Sequence, residues 1–151
     1  MAKKTNNNKT QEIVEKLLTG LGIDAKVIID EKEEEIGVTL ETEDTGMVIG
    51  YHGDTLESLQ LILSLCIAKE LGAFKRVSLE IGDYKKNRSE WLTNLAAESK
   101  ERAIAEGREI SLRNLKSWER RIIHMCLKDD GSVMSESVGE GKDRMLVIKP
   151  R

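Results

Sequence analysis

The stretch from Asp54 to Leu71 constrains the fold of this chain most. It is rich in leucine, contains no glycine or proline, and follows directly on Gly50-Tyr51-His52-Gly53. Wound at about 100° per residue, it reads as a helix with a core stripe of Leu56, Leu59, Leu63, Cys66, Ile67 and Leu71. Leu61, Leu65 and Ala68 fall on a nearly opposite face. A helix laid on one sheet needs one apolar stripe, so the second stripe requires cover from the rest of the chain or from another chain. Leu61, Leu65 and Ala68 are therefore expected to form an interface, with each buried leucine contributing about 1.5–3 kcal/mol. Asp54, with Glu57 three residues on, predicts a capping box at the helix start.

The flanking periodicities supply the other elements. Lys9 to Thr19 reads as a helix ended by Gly20 and Gly22, behind a polar, flexible tail over the first eight residues. Ala25–Asp30 and Ile36–Glu41 read as strands joined by an acidic turn, Gly46–Ile49 as one helical turn, and Lys75–Ile81 as a third strand. A helix follows over Tyr84–Glu106, with Tyr84, Trp91, Leu92, Leu95 and Ala103 as its apolar stripe. Arg108–Leu112 is a short strand, Leu115–Lys128 a helix, and Ser132–Val138 and Met145–Lys149 two strands joined through Gly139–Asp143. The only proline is Pro150 and there is no repeat or linker, so two halves are expected to abut near Asp83.

Composition narrows the class. A chain of 151 residues with 39% hydrophobic and 34% charged residues is a water-exposed globular protein of one or two small domains. The longest apolar run, around Leu61–Ala68, is far short of a bilayer span, and the polar N-terminus lacks the apolar core of a signal peptide. A cytoplasmic protein is expected. Cys66 and Cys126 sit in apolar helical patterns and read as free thiols. His124 and Cys126 point to different helix faces and no Cys-x-x-Cys pair exists, so no metal and no cofactor is expected. No Ser/His/Asp order and no phosphate-binding Gly-x-x-x-x-Gly-Lys is present, and Asp129-Asp130 reads as a turn, which argues against an enzyme.

The net charge of −3 conceals a division. Before Tyr84 there are nine Lys/Arg against sixteen Asp/Glu, a net −7; from Tyr84 on there are fifteen against eleven, a net +4. The basic half contains a cationic helix. On Leu115–Lys128, Leu115, Trp118, Ile122, Met125 and Cys126 share one side, flanked by Ile123 and Leu127. Ser117, Arg120, Arg121, His124 and Lys128 crowd within roughly 100° of the other. Wet helix faces usually mix charge signs, often in i,i+4 opposite pairs. This face, with Arg120, His124 and Lys128 one turn apart, repels itself unless an anion is its partner. A plain solvated basic face is the competing reading, and a salt bridge from Arg120 to Glu119, Glu136 or Glu140 is the structural alternative for that residue.

In the acidic half, Gly50-x-x-Gly53 lies between a short helical turn and a long helix, where glycines permit close backbone approach to phosphates. The order helix, strand, strand, helix, Gly-x-x-Gly, helix, strand is the layout of a KH domain. With Ile49-Gly50-Tyr51-His52-Gly53-Asp54-Thr55-Leu56-Glu57-Ser58-Leu59-Gln60 as signature, residues 23–83 resemble a type II KH domain, behind a tail and lead-in helix at 1–22. Residues 84–151 resemble an R-three-H domain, named for an Arg and a His three residues apart, here Arg120 and His124. Tyr84 with Arg88, Glu119-Arg120-Arg121-Ile122-Ile123-His124, Ser137-x-Gly139-Glu140, and Arg144 before Val147-Ile148 agree with that pattern. The tandem resembles the Jag family of bacterial RNA-binding proteins.

The resemblance implies an α+β fold: a type II KH domain (helix-strand-strand-helix-helix-strand), then an R-three-H domain with helices on a small three-stranded sheet. It implies a non-enzymatic protein that binds single-stranded RNA, and leaves open whether single-stranded DNA competes. It also implies post-transcriptional control linked to cell shape or envelope growth, and a homodimer or a heterodimer with a small KH-only protein. Many family members carry an extra N-terminal domain, whereas only a short tail and one helix precede the KH half here. The middle loop positions, usually basic, are Tyr51 and His52. Phosphate attraction dominates nucleic-acid affinity. The site is therefore expected to combine Gly50, Tyr51, His52 and Gly53, orienting the strand weakly, with Arg120, Arg121, His124 and Lys128, which supply most of the affinity. Lys85, Lys86 and Arg88 extend the basic track, a structural role staying open for Arg88. The rival reading is a dimerisation adaptor whose loop binds RNA weakly or not at all.

Overall fold

Along one strand Ile36, Val38 and Leu40 alternate with Gly37 and Thr39, and all three apolar residues are fully buried. That period-2 pattern places one face of a sheet against helices. The computed structural model describes residues 2–151, with side chains from residue 7 onward. In chain order it contains α1 (Ala2–Gly20), β1 (Lys26–Glu31), β2 (Glu35–Glu41), α2 (Thr45–Ile49), α3 (Asp54–Leu71), β3 (Arg76–Ile81), α4 (Tyr84–Glu106), β4 (Ile110–Leu112), α5 (Ser117–Leu127), β5 (Val133–Val138) and β6 (Met145–Pro150). Single 3₁₀ turns cover Tyr51–Gly53 and Gly141–Asp143. The α+β class is the one that the resemblance implies. No helix among the described residues is long and apolar enough to cross a membrane.

The chain divides into two units, residues 1–85 and 86–151. In the first, β1 pairs antiparallel with β2 and β2 pairs parallel with β3, in the order β1-β2-β3. A parallel pair needs a long crossover, and α2 with α3 provides it. Val14 and Leu18 of α1 and Leu56, Leu59, Leu63 and Ile67 of α3 pack on the same core as the sheet. Lys9 ties the two helices by donating to the Glu70 carbonyl at 3.0 Å. Met1 lies outside the described residues. From Ala2 the backbone is already helical, so α1 begins well before the expected start at Lys9. Elongating an existing helix adds a hydrogen bond for each residue fixed, which lets α1 continue outward from its packed half.

In the second unit β6 is the central strand of an antiparallel sheet ordered β4-β6-β5. Its core is Leu92, Ala96 and Ala103 of α4, Ile123 and Leu127 of α5, and Ile110, Val133, Leu146 and Ile148 of the sheet. Tyr84 and Lys85, the first residues of α4, go with the first unit: Tyr84 packs on the first core.

Three expectations about faces and caps need correction. On α5 the buried residues are Glu119, Ile123 and Leu127, while Met125 and Cys126 are exposed. The inward face is rotated because Glu119, a charge that pattern reading places outside, is buried. On α4 the inward residues are Leu92, Ala96, Ser99 and Ala103, and Trp91 is half-exposed. At α3 the N-cap is Gly53 in a left-handed conformation with no side-chain cap; Asp54 is already the first helical residue.

Leu61 and Leu65 are each 61% exposed on α3, opposite the fully buried Leu63. Two leucines two positions apart thus have opposite roles. Leu63→Ala should lose about 2–5 kcal/mol of stability, and Leu65→Ala in dilute protein less than about 0.5 kcal/mol. Urea denaturation of both variants checks this contrast, and equal losses would contradict the burial assigned to α3.

Candidate nucleic-acid interface

The cationic helix acquires its geometry from an acid. The Glu119 side chain is fully buried: Arg88 Nε donates to its Oε1 at 2.7 Å, and the Lys116 backbone N–H donates to Oε2 at 2.8 Å. Arg88 is itself largely buried, with its guanidinium 4.2 Å from the centroid of the Trp91 ring. One carboxylate thus ties α4 to the first turn of α5. Arg88 is therefore structural, and its assignment to the RNA track is corrected. Lys85 pairs with Glu80 at 3.0 Å, and Lys86 is exposed.

Because Glu119 is occupied, Arg120 does not pair with it. Arg120 Nη1 donates to the Leu115 carbonyl at 2.6 Å and Nη2 to Ser117 Oγ at 3.1 Å. Two of its five N–H donors are thereby used and the guanidinium is fixed in place. The other proposed acid partner, Glu136, hydrogen-bonds Lys149, whose ammonium pKa is raised by that contact and more weakly by Glu109. Among the described residues Arg120 makes no ion pair, so its salt-bridge alternatives are not realised. His124 is exposed and its Nδ1 lies 2.8 Å from Ser135 Oγ on β5, which holds the ring and leaves Nε2 for a ligand.

These side chains line a shallow cavity of about 340 Å³ with Ser117, Arg121, Glu136, Ser137 and Arg144. Three guanidiniums, an imidazole and two hydroxyls surround one carboxylate already engaged by Lys149. Such a cup can hold an anion with several acceptor oxygens, above all a phosphate. Ser137 and Arg144 escaped the reading of the helix because they arrive from another element. Gly139, at φ +87, lets the β5–β6 hairpin return tightly; a Cβ there would lie 3.0 Å from the Asp143 carbonyl oxygen. The hairpin then pairs Val138 with Met145 and brings Arg144 back beside the cup. Lys128 is exposed at the C-cap of α5 and does not line the cavity. Asp130, read as a turn residue, is one: it binds Lys100 at 2.5 Å and accepts from Ser132, contacts that hold its carboxyl well below the usual carboxylate range. Among the described residues no group of three or more His, Cys, Asp or Glu is arranged to hold a metal.

In the first unit Gly50, Tyr51, His52 and Gly53 form a tight turn that enters α3. Gly50 has φ +70 and Gly53 φ +80, and His52 adopts φ +49. A Cβ on Gly50 would fall 2.1 Å from Thr55 Oγ1, and one on Gly53 would fall 3.2 Å from the Tyr84 hydroxyl. Gly50 is thus required by the chain's own packing, and Gly53 is favoured by its left-handed backbone. Asp54 and Glu57 place two carboxylates in the first turn of α3.

Residues 11–81 match the family model described as the KhpA/KhpB KH domain, and residues 90–150 match the R-three-H domain model. A Clostridium symbiosum protein named RNA-binding protein KhpB is 34% identical over 148 residues, covering 97% of this chain and 67% of the relative. The chain belongs to the KhpB (Jag) family. Two other relatives of the same name, from Bacillus subtilis and Streptococcus pneumoniae serotype 2, are 29% and 27% identical over 81% and 89% of this chain. The chain spans 60% and 41% of their respective lengths. The family's two domain models fall on the two units described above, one on the loop at Gly50–Gly53 and one on the Arg/His cup.

Breaking a buried ion pair on one side strands the other charge. Glu119→Ala should therefore cost about 3–5 kcal/mol, whereas the joint replacement Arg88→Met/Glu119→Leu should cost far less or stabilise. Thermal and urea denaturation of the single and double variants decides this, and a mild single-variant loss would remove the pair from its structural role.

Proposed function

We propose that this chain binds single-stranded RNA, with the Arg/His cup of the second unit supplying most of the affinity. The observation that carries this reading is the convergence of Arg120, Arg121, His124 and Arg144 on one cavity whose single acid is already paired. The naming of its relatives as RNA-binding proteins supports extending that activity to this chain. The loop at Gly50–Gly53 orients the strand, and Lys128 and Lys86 extend the basic surface. Acting in the cytoplasm as a post-transcriptional regulator or RNA chaperone, with a link to cell shape or envelope growth, is the wider form of the same proposal. Sequencing of RNA crosslinked to the protein in cells tests that wider form, and recovery of no enriched transcripts would remove it.

The adaptor reading is favoured by one further observation, and the two readings are compatible. Leu61, Ile62 and Leu65 leave an apolar strip exposed on α3. A second copy of α3 packed antiparallel about a two-fold axis between Leu61 and Leu65 places each Leu61 against the partner's Leu65. The same axis sets Glu57 against the partner's Lys69, an opposite-charge match. Self-complementarity of this kind is what an isologous dimer requires. With Ala68 at its edge, this strip is the proposed dimer face, for a second copy or a related KH protein.

In a salt series with a mixed-sequence single-stranded RNA, log affinity should fall linearly with log salt. Arg121→Ala/Arg144→Ala should weaken binding to all sequences and make the slope shallower by about 1.4, at roughly 0.7 for each phosphate no longer neutralised. An unchanged slope would withdraw the role given to the cup. Separately, Leu61→Asp/Leu65→Asp should convert the protein to a monomer in analytical ultracentrifugation. A wild type that is monomeric at high concentration would remove the dimer face.

A further inference from the structure

The loop at Gly50–Gly53 contains the features of a base-recognition surface and lacks those of a phosphate clamp. A phosphate clamp needs fixed positive charge or free helix N-terminal N–H groups, since charge attraction dominates backbone binding. The two middle positions here are a phenol and an imidazole. The first turn of α3 behind them carries the carboxylates of Asp54 and Glu57, whose negative charge offsets the positive helix end and opposes an approaching anion. The glycines offer no counter-argument, because the Thr55 contact at Gly50 and the left-handed backbone at both positions already account for them.

The loop does present an aromatic ring. Tyr51 is 77% exposed, and its ring meets that of His52 edge-on, with centroids 4.1 Å apart and planes at 70°. His52 achieves this from a left-handed backbone, a conformation rare for a residue with a side chain and found where the surroundings impose it. Met47, on the short helix that leads into the loop, is also exposed and apolar. The other aromatic side chains are placed otherwise: Tyr84 and Trp118 pack on the cores, Trp91 carries Arg88, and Phe74 lies beyond the far end of α3.

We propose that Tyr51 is a stacking platform for a nucleobase, so that the first unit reads bases while the second holds phosphates. The proposal rests on the RNA-binding reading above. It makes Tyr51 a specificity-determining residue, with a preference for purines, whose larger rings stack over more area. It also predicts that the contribution of the loop is independent of salt, in contrast to that of the cup.

The test measures binding of the full chain to three RNAs of equal length and charge: oligoadenylate, oligouridylate and an abasic oligomer, each across a salt series. Wild-type protein should bind oligoadenylate tightest and the abasic strand weakest. Tyr51→Ala should reduce the ratio of oligoadenylate to abasic affinity by about 5- to 160-fold, the size of one stacked base, with an unaltered salt slope. Tyr51→Phe should keep that ratio within about twofold. Phe74→Ala, which removes an aromatic of similar exposure at the other end of α3, should leave it unchanged. Circular dichroism establishes that each variant is folded. The proposal is overturned by a ratio that survives Tyr51→Ala, by a slope that changes with it, or by a ratio lost in Tyr51→Phe, which would make the contact a hydrogen bond from the hydroxyl. Absence of wild-type binding to any strand at low salt would instead overturn the RNA-binding reading, and this one with it.

Discussion

The buried contact between Arg88 and Glu119 controls the second unit. It places a carboxylate with no exposure at the start of α5, satisfied by one guanidinium and one backbone N–H. Alone, a carboxylate next to Arg120 in sequence would lower the local positive potential and compete with any anionic ligand. Engaged from α4, its charge is met from behind the helix, and Arg120 instead donates to the Leu115 carbonyl and to Ser117. The pair therefore does two things at once: it fixes α5 against α4, and it keeps the cationic side of α5 cationic. A buried ion pair is weak evidence for stability, since well-packed apolar residues often do as well. Here its electrostatic consequence gives a reason for charges at that point that apolar residues would not supply.

The same logic runs through the cup. Arg144 and Arg121 have no ion-pair partner among the described residues, and the one acid in the lining, Glu136, is held by Lys149. Fixed donors cost a ligand less ordering entropy than free ones. Arg120 and His124 are fixed, by Ser117 with the Leu115 carbonyl and by Ser135 respectively. Arg121 retains freedom to follow a flexible strand. A rigid pair beside an adaptable one suits a polymer whose phosphates repeat at roughly regular intervals but whose bases differ.

Much of the fold was legible because its periods are strong. The limits of α3 and α4 agree with the sequence reading to the residue, since Gly53, Gly72 and Gly107 mark ends that side-chain pattern alone leaves vague. What pattern could not show was phase where polarity and burial disagree. Glu119 points inward and Met125 and Cys126 point outward, so a wheel weighted by hydrophobicity turns α5 the wrong way by about a quarter turn. Arg88 was ambiguous for the same reason: its burial depends on an acid contributed by a different helix. From side-chain periodicity the cup was legible only in its helical part, although the family pattern also contains Ser137 and Arg144. Ser137 and Arg144 meet Arg120 through a hairpin whose register is set by β5 and β6, and no spacing in the sequence encodes that meeting. The second, exposed apolar stripe of α3 was legible, because a helix needs only its own period to reveal two apolar faces.

The charge division gives the two units unequal attraction for a polyanion. A strand approaching the acidic unit alone meets a net −6 and a loop without fixed positive charge, whereas the basic unit offers a net +3 and a preformed cup. Counterion release makes the second encounter favourable for any polyanion, so the cup by itself discriminates little. Selectivity then has to come from a surface that gains something other than charge, and the chemistry available at the loop of the first unit is an aromatic ring, an imidazole and an exposed methionine. On the reading proposed above, affinity and selectivity belong to surfaces of opposite charge, so that substitutions in the cup change the salt dependence and substitutions in the loop change the choice among bases.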